Sequence, residues 1–273
     1  EAVGLALQKA GVQAGDVDFI LAGDLLNQCI SSTFGLLDYQ IPFLGQYGAC
    51  STMAQTLFLA SVLVDCGAAR RAAAVTSSHF CSAERQFRTP LEYGAQRTPT
   101  AQWTATASGC ALVGQKGKVR VLRGLAGKIV DLGVKDPANM GAAMAPAAAE
   151  SIAQFLGDTG TRPEEYDGIY TGDLGAVGSQ LLVELLDRQG IDISRCHHDC
   201  GLLLFDRERQ DVHAGGSGCG CSASVLCGHL LNRMERGQLR SILFCATGAL
   251  MSPTSSQQGE NIPGVCHVLH LAR

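Results

Sequence analysis

The sequence predicts a layered α/β protein built from two similar halves, and three observations carry this. Helix-like and strand-like stretches alternate along the chain, which implies helices layered on parallel sheets. A small-residue turn that opens into an apolar helix occurs twice, as Gly48-Ala49-Cys50-Ser51-Thr52 and as Gly218-Cys219-Gly220-Cys221-Ser222-Ala223-Ser224. Gly-Asp-Leu also follows a strand twice, at Gly23-Asp24-Leu25 and Gly172-Asp173-Leu174. Such internal similarity implies a duplication, with halves related by a pseudo-twofold axis. Asp24 and Asp173 are 149 positions apart and Gly67 and Gly237 are 170 apart, so the second half carries 21 extra residues, expected within Ser194–Gly216. The expected halves are 1–135 and 136–273.

The elements follow in order. Glu1–Ala10 reads as a helix ended by Gly11, and the chain starts inside it. Asp18–Ala22 reads as a buried strand and Ile41–Leu44 as the next. The Cys50 turn leads into a buried helix to about Asp65, closed by Gly67, and Ala72–Thr76 is a strand that ends in Ser77-Ser78-His79. In the second half Pro146–Leu156 is expected as helix and Gly168–Tyr170 as strand. The Gly218 turn then starts a helix to about Arg236, followed by the strand Ser241–Ala246. Between the halves, His79–Ala111 is polar and lacks periodicity, which marks a functional loop more often than an idle one. Gly114–Lys118 reads as a solvated turn.

Composition narrows the function. The 273 residues are 46% hydrophobic and 17% charged with a net charge of −4, as in an ordinary globular protein, and no basic patch interleaved with aromatics suggests nucleic acid. No apolar run reaches the roughly 18–20 residues of a membrane span, so the expectation is a soluble protein without a visible signal or transmembrane segment. Of the 12 cysteines most stand singly in apolar runs, as small buried residues of a reducing compartment do. Cys196-His197-His198-Asp199-Cys200 has metal-binding atoms at a spacing that matches no common zinc pattern, so no metal and no cofactor are expected.

The two turns carry the chemistry. A cysteine at a helix N-terminus meets unpaired N–H groups and the positive end of the helix dipole, which suits a nucleophile or an anion site. The order strand, Gly48-Ala49-Cys50-Ser51, buried helix, strand, Ser77-Ser78-His79 resembles the N-terminal half of the thiolase and ketoacyl-synthase superfamily, where the cysteine carries an acyl group. More specifically, Ala22–Gln28, Ser82–Arg88, Met144–Ala149 and Asp199–Leu203 resemble the stage V sporulation protein AD family of spore-forming bacteria, over about residues 1–270. That resemblance implies a thiolase-like fold in αβαβα layers, without the family's N-terminal segment and its first strand. It also implies binding of dipicolinic acid (pyridine-2,6-dicarboxylate) and its uptake into the developing spore. The implied partners are membrane-embedded proteins of the same system, in a homodimer peripheral to the inner spore membrane.

The residues argue against a normal condensing enzyme. The slot where the superfamily keeps a histidine base falls at Thr171–Asp173, which holds none, and the last slot falls on Cys219. A positioned general base contributes about 10²–10⁴-fold. His229 and His267 lie in apolar runs, so His79 and His213 are the histidines expected near the site. In the binding reading, the two helix N-termini converge and each receives one carboxylate of the ligand. Cys50, Gly218 and Cys219 form the turns, Asp24, Asn27 and Asp173 line the strand ends, His79 stands nearby, and Arg88 (with Arg85 and Arg97 as alternatives) supplies the positive charge. Asp24 and Asp173 could instead hold a hard cation, or serve only as caps. The competing reading is an acyltransferase with Cys50 as nucleophile and an unusual base, and a third is a structural subunit with a vestigial pocket.

Overall fold

The structure is a computed structural model that describes residues 1–87 and 97–273. The first half comprises α1 (Ala2–Ala10), β1 (Phe19–Gly23), α2 (Ile30–Leu36), β2 (Phe43–Gly45), α3 (Thr52–Asp65), β3 (Arg71–Ser78), α4 (Phe80–Phe87), β4 (Trp103–Thr104) and β5 (Ala107–Gly114). There follow β6 (Arg120–Leu125), α5 (Met140–Thr159), β7 (Gly168–Thr171), α6 (Gly175–Asp187), β8 (His197–Asp199), α7 (Cys200–Leu204) and β9 (Gly216–Ser217). The chain closes with α8 (Cys219–Val225), a π-helical turn at Leu226–Leu230, α9 (Leu231–Glu235), β10 (Ser241–Ala249), α10 (Pro253–Gln257) and β11 (Gly264–Ala272).

Two sheets form the frame, with strand orders β2-β1-β3-β5 and β6-β11-β10-β7-β8. Both are mixed: β2, β1 and β3 run parallel with β5 antiparallel, and β8, β7 and β10 run parallel with β11 antiparallel. The shared order is the duplication that the repeat predicts. α3 packs on both sheets and touches α8 between them, α1 covers the outer face of the first sheet, and α5 and α6 cover the second. The result is five layers. α3 is apolar around most of its circumference because it is buried from both sides, through Met53, Ala54, Leu57, Ala60 and Val64. A fully buried leucine such as Leu57 contributes roughly 1.5–3 kcal/mol.

Several expectations shift. β6 pairs antiparallel with β11, so by sheet membership the halves meet in the turn at 115–119 rather than at 135/136. α5 begins at Met140, capped by the Asn139 side chain, and carries Pro146 inside it; the ring reads as a helix start in sequence, but burial of the flanking alanines and Met144 holds one continuous helix. The stretch 79–111 contains α4, β4 and part of β5, short elements whose periodicity is too brief to register. Residues 197–199 form β8, the counterpart of β2, so the extra residues of the second half are α7, the following loop and β9. The outer edge of β5 has no partner strand among the described residues, whereas β6 covers the equivalent edge of β11.

Candidate functional site

Strand ends and helix starts place the two turns face to face. In the first, the Ser51 hydroxyl donates to Gly48 O (2.7 Å), and the Thr52 hydroxyl donates to Ala49 O (2.6 Å) while accepting from Gly48 N (3.1 Å). In the second, Gly218 precedes α8 at φ 100, a conformation that favours glycine. A Cβ on Gly220 would fall 2.3 Å from Ala107 O, so α8 approaches β5 as closely as backbone allows. Cys50 and Cys219 join Leu25 and Ala83 in one small apolar cluster, with Phe87 of α4 packed against it. The expected convergence of the turns is therefore present.

Asp173 commands the space between them. It is fully buried, and its carboxylate accepts from Gly218 N (2.8 Å), the Ser217 hydroxyl (3.2 Å) and the Thr247 hydroxyl (3.1 Å). The Cys50 thiol lies near enough to the same carboxylate for the two to interact electrostatically. Burial pushes the Cys50 thiol well above its ordinary range, and the Asp173 carboxylate beside it acts in the same direction. Burial also raises Asp173, against the opposing effect of its donors. Cys219 is raised by burial and then by Asp24, and its thiol donates to Ser77 O (3.1 Å). Both sulfurs are thus held as thiols, the opposite of an activated nucleophile.

The remaining expected residues separate. Gly218 N is taken by Asp173 and Gly220 N by the Ser78 hydroxyl (3.1 Å), so these donors of the second turn are not free for a ligand carboxylate; the arrangement of one carboxylate per turn is corrected on that ground. Asp24 is buried and accepts from Leu26 N (2.8 Å), Ser32 N (2.7 Å) and the Ser32 hydroxyl (2.7 Å), which makes it the organiser of the loop into α2. Asn27 is exposed and accepts from Gln86 (2.9 Å) on the surface rather than lining the Cys50 pocket, because the loop after β1 turns outward. His79 is exposed at the end of β3 and faces a separate cleft. His213 is engaged by Thr98 O (2.8 Å) and Asp211 (2.8 Å), away from the lining of the pocket. Arg88 lies outside the described residues, and Arg85 is exposed. Arg97 is largely buried, paired with Glu84 at 3.1 Å and stacked over Trp103 at 4.3 Å, so its charge serves the packing under α4.

Two spaces adjoin this centre. A cavity of about 20 Å³ beside Cys50 is walled by Leu25, Phe87, Met140, Ala249 and Met251, with Thr104 and Ser217 as polar members. That is room for about one water. An open cleft of about 570 Å³ runs past Asp24, Ser77, His79, Ser82, Thr106 and Ser108.

The group at 196–200 is a hydrogen-bond hub. Asp199 accepts from the Thr171 hydroxyl (2.7 Å), Leu174 N (2.8 Å), Gly175 N (3.0 Å) and Leu202 N (3.2 Å), and burial raises its carboxyl to about 7. His197 meets Thr171 at 2.9 Å and is lowered by burial to about 4. Among the described residues no group of three or more His, Cys, Asp or Glu is arranged for a metal ion.

Sequence reasoning missed Gln102, whose amide donates to Asp173 O and Gly216 O at 2.7 Å each and so ties the two loops of the site together. It also missed Ser217, Thr247, Met140 and Met251. Gln102 stands in a stretch with no motif, and no local signal marks it; Thr247, which aligns with Ser77 under the 170-residue offset at Gly67 and Gly237, was legible in the repeat as a second hydroxyl at a strand end.

Known proteins agree with this architecture. AbyA1, a tetronic acid condensing enzyme, matches with a TM-score of 0.64 at 19% identity, over 100% of this chain and 84% of that one. A variant of OleA from Xanthomonas campestris, bound with cerulenin, gives a TM-score of 0.65 at 14% identity over 100% of this chain and 78% of that one. The 3-oxoacyl-[acyl-carrier-protein] synthase III of Aquifex aeolicus gives 0.60 at 12% over 98% and 81%. At these identities the likeness shows the fold, a thiolase-like α/β architecture. The sequence relationship is closer elsewhere: Stage V sporulation protein AD of Bacillus subtilis (strain 168) is 47% identical over 268 residues, 98% of this chain and 79% of the relative. The sequence profile of that family matches residues 1–272, which spans both sheets, both turns and Asp173; the chain belongs to the Stage V sporulation protein AD family.

Proposed function

We propose that this thiolase-fold sporulation protein binds dipicolinic acid without catalysing condensation, and that it supports uptake of that compound into the developing spore. One observation carries the non-catalytic half: the Asp173 carboxylate stands beside the Cys50 thiol and raises it, from the loop where a condensing enzyme needs a histidine base. A carboxylate there opposes formation of the thiolate, the form in which a cysteine attacks an acyl group.

Family membership supports the ligand. The 570 Å³ cleft supports its place, because Ser77, Thr106 and Ser108 offer hydroxyl donors to carboxylates, in a space far larger than the 20 Å³ cavity at Cys50. The partners are membrane-embedded proteins of the same sporulation system, with this protein peripheral to the inner spore membrane. A homodimer through β2 completes the proposal. All three residues of that edge strand are exposed, and Ile30, Phe34, Leu37 and Tyr47 extend the apolar surface around it; bare apolar edges of this kind invite pairing.

Calorimetric titration of dipicolinate into wild type, Cys50→Ala and Ser77→Ala/Ser108→Ala tests the reading, beside intact-mass measurement after incubation with acyl-CoA. Heat of binding retained in Cys50→Ala and reduced in the double variant is the expected result. Absence of heat in wild type removes the ligand, and an acyl adduct on Cys50 with turnover restores the acyltransferase.

A further inference from the structure

The exposed apolar surfaces of the molecule differ in charge. The one around β2, drawn from residues 30–47, holds no Lys or Arg, and the one charged residue of that stretch is Asp38. A second runs along the outer edge of the other sheet. Residues 115–136 leave β5, form β6, and continue beside β11 through Val130 N to Gly264 O (2.9 Å) and Ile262 N to Val134 O (2.7 Å). Along this strap Lys116, Lys118, Arg120, Arg123, Lys128 and Lys135 are all exposed, against Asp131 and Asp136. The strap is therefore +4 in a chain of −4, which leaves −8 for the rest. Lys128 meets Glu150 at 3.4 Å on the surface, and among the described residues it is the one strap cation within ion-pair distance of a carboxylate.

Apolar side chains stand among these charges. Val119 and Val121 pack against the core, while Leu122, Ile129 and Leu132 are 45%, 69% and 68% exposed. Basic residues clustered around protruding apolar ones suit an anionic lipid surface, with cations on the headgroups and apolar tips in the interfacial layer. No helix among the described residues is long and apolar enough to cross a membrane, so contact of this kind would be lateral. A second copy is the wrong occupant, since it would set +4 against +4.

We propose that the strap of residues 115–136, which includes β6, is the face with which the protein lies on an anionic lipid bilayer. This rests on the peripheral placement proposed above and is independent of the dipicolinate reading. Vesicle flotation tests it, using phosphatidylglycerol mixed with phosphatidylcholine against phosphatidylcholine alone. Wild type floats with the anionic vesicles at low salt, is released as salt rises, and stays with the soluble fraction in the neutral ones. Because each cation near such a surface contributes about 1 kcal/mol, Lys116→Gln/Lys118→Gln/Arg123→Gln binds about 100-fold more weakly. Ile129→Ser/Leu132→Ser also binds more weakly but keeps the salt dependence. Equal flotation with both vesicles, flotation with neither, or a triple variant that binds like wild type overturns the proposal. Binding to poly-glutamate without flotation overturns it in favour of an acidic protein face. Circular dichroism melts and dipicolinate titration of the same variants show that fold and ligand site persist, so failure here is distinguishable from failure of the ligand.

Discussion

Replacing Asp173 with asparagine separates the two roles assigned to its carboxylate. The side chain accepts from Gly218 N, Ser217 and Thr247, and beside Cys50 it opposes ionisation of the thiol. Asparagine keeps the shape and one acceptor oxygen, so Gly218 N retains a partner while the hydroxyls of Ser217 and Thr247 can turn. One buried donor left poorly matched costs about 1–3 kcal/mol, which lowers the melting temperature by roughly 2–12 °C in a chain of this size. Like charges about 4 Å apart repel by up to about 4 kcal/mol at an effective dielectric near 20. Relief of even a third of that repulsion raises a thiolate-dependent rate about tenfold. The assay is alkylation by iodoacetamide, with label quantified by peptide mass at Cys50 and at the fully buried Cys245, which reports general opening. Faster labelling at Cys50 alone is the expected outcome. An unchanged or slower rate at Cys50, or equal acceleration at Cys245, refutes the claim that Asp173 holds the sulfur protonated.

Three further outcomes are expected. Gly220→Ala drives a methyl toward Ala107 O, where the space is 2.3 Å, and destabilises by about 1–3 kcal/mol in urea unfolding as α8 is pushed from β5. His197 titrates at about 4 in the fold against a model-peptide 6.5, so the unfolded chain binds the extra proton and stability falls as pH drops from 6.5 toward 4. His197→Phe loses that slope, about 3 kcal/mol across the window, read as the difference between wild-type and variant unfolding curves; equal slopes would contradict it. Phe34→Asp/Leu44→Asp places charges on the apolar edge at β2 and yields a monomer by light scattering, with the wild type a dimer at the same concentration.

The duplication, its sheet-forming segments and the paired Cys turns were legible in the chain because they are local. Alternating apolar runs, glycine punctuation and Gly-Asp-Leu after a strand are read within a dozen residues, and so is the absence of histidine from Thr171–Asp173. Pro146 misled because a proline within a helix looks locally like a helix start, and only the packing of α5 on the second sheet overrides it. Short elements such as α4 and β4 carry too few periods to be seen. Partnership is the part no local pattern reports. Asp24 and Asp173 occupy equivalent places in the repeat, yet Asp24 folds its own loop while Asp173 reaches Gly218, Thr247 and Cys50 across 45, 74 and 123 residues of chain. The sequence by itself determined that two cysteine turns face each other across a pseudo-twofold axis. Tertiary structure alone decided which carboxylate stands between them, because that depends on contacts between segments brought together only when the sheets pack on α3 and α8.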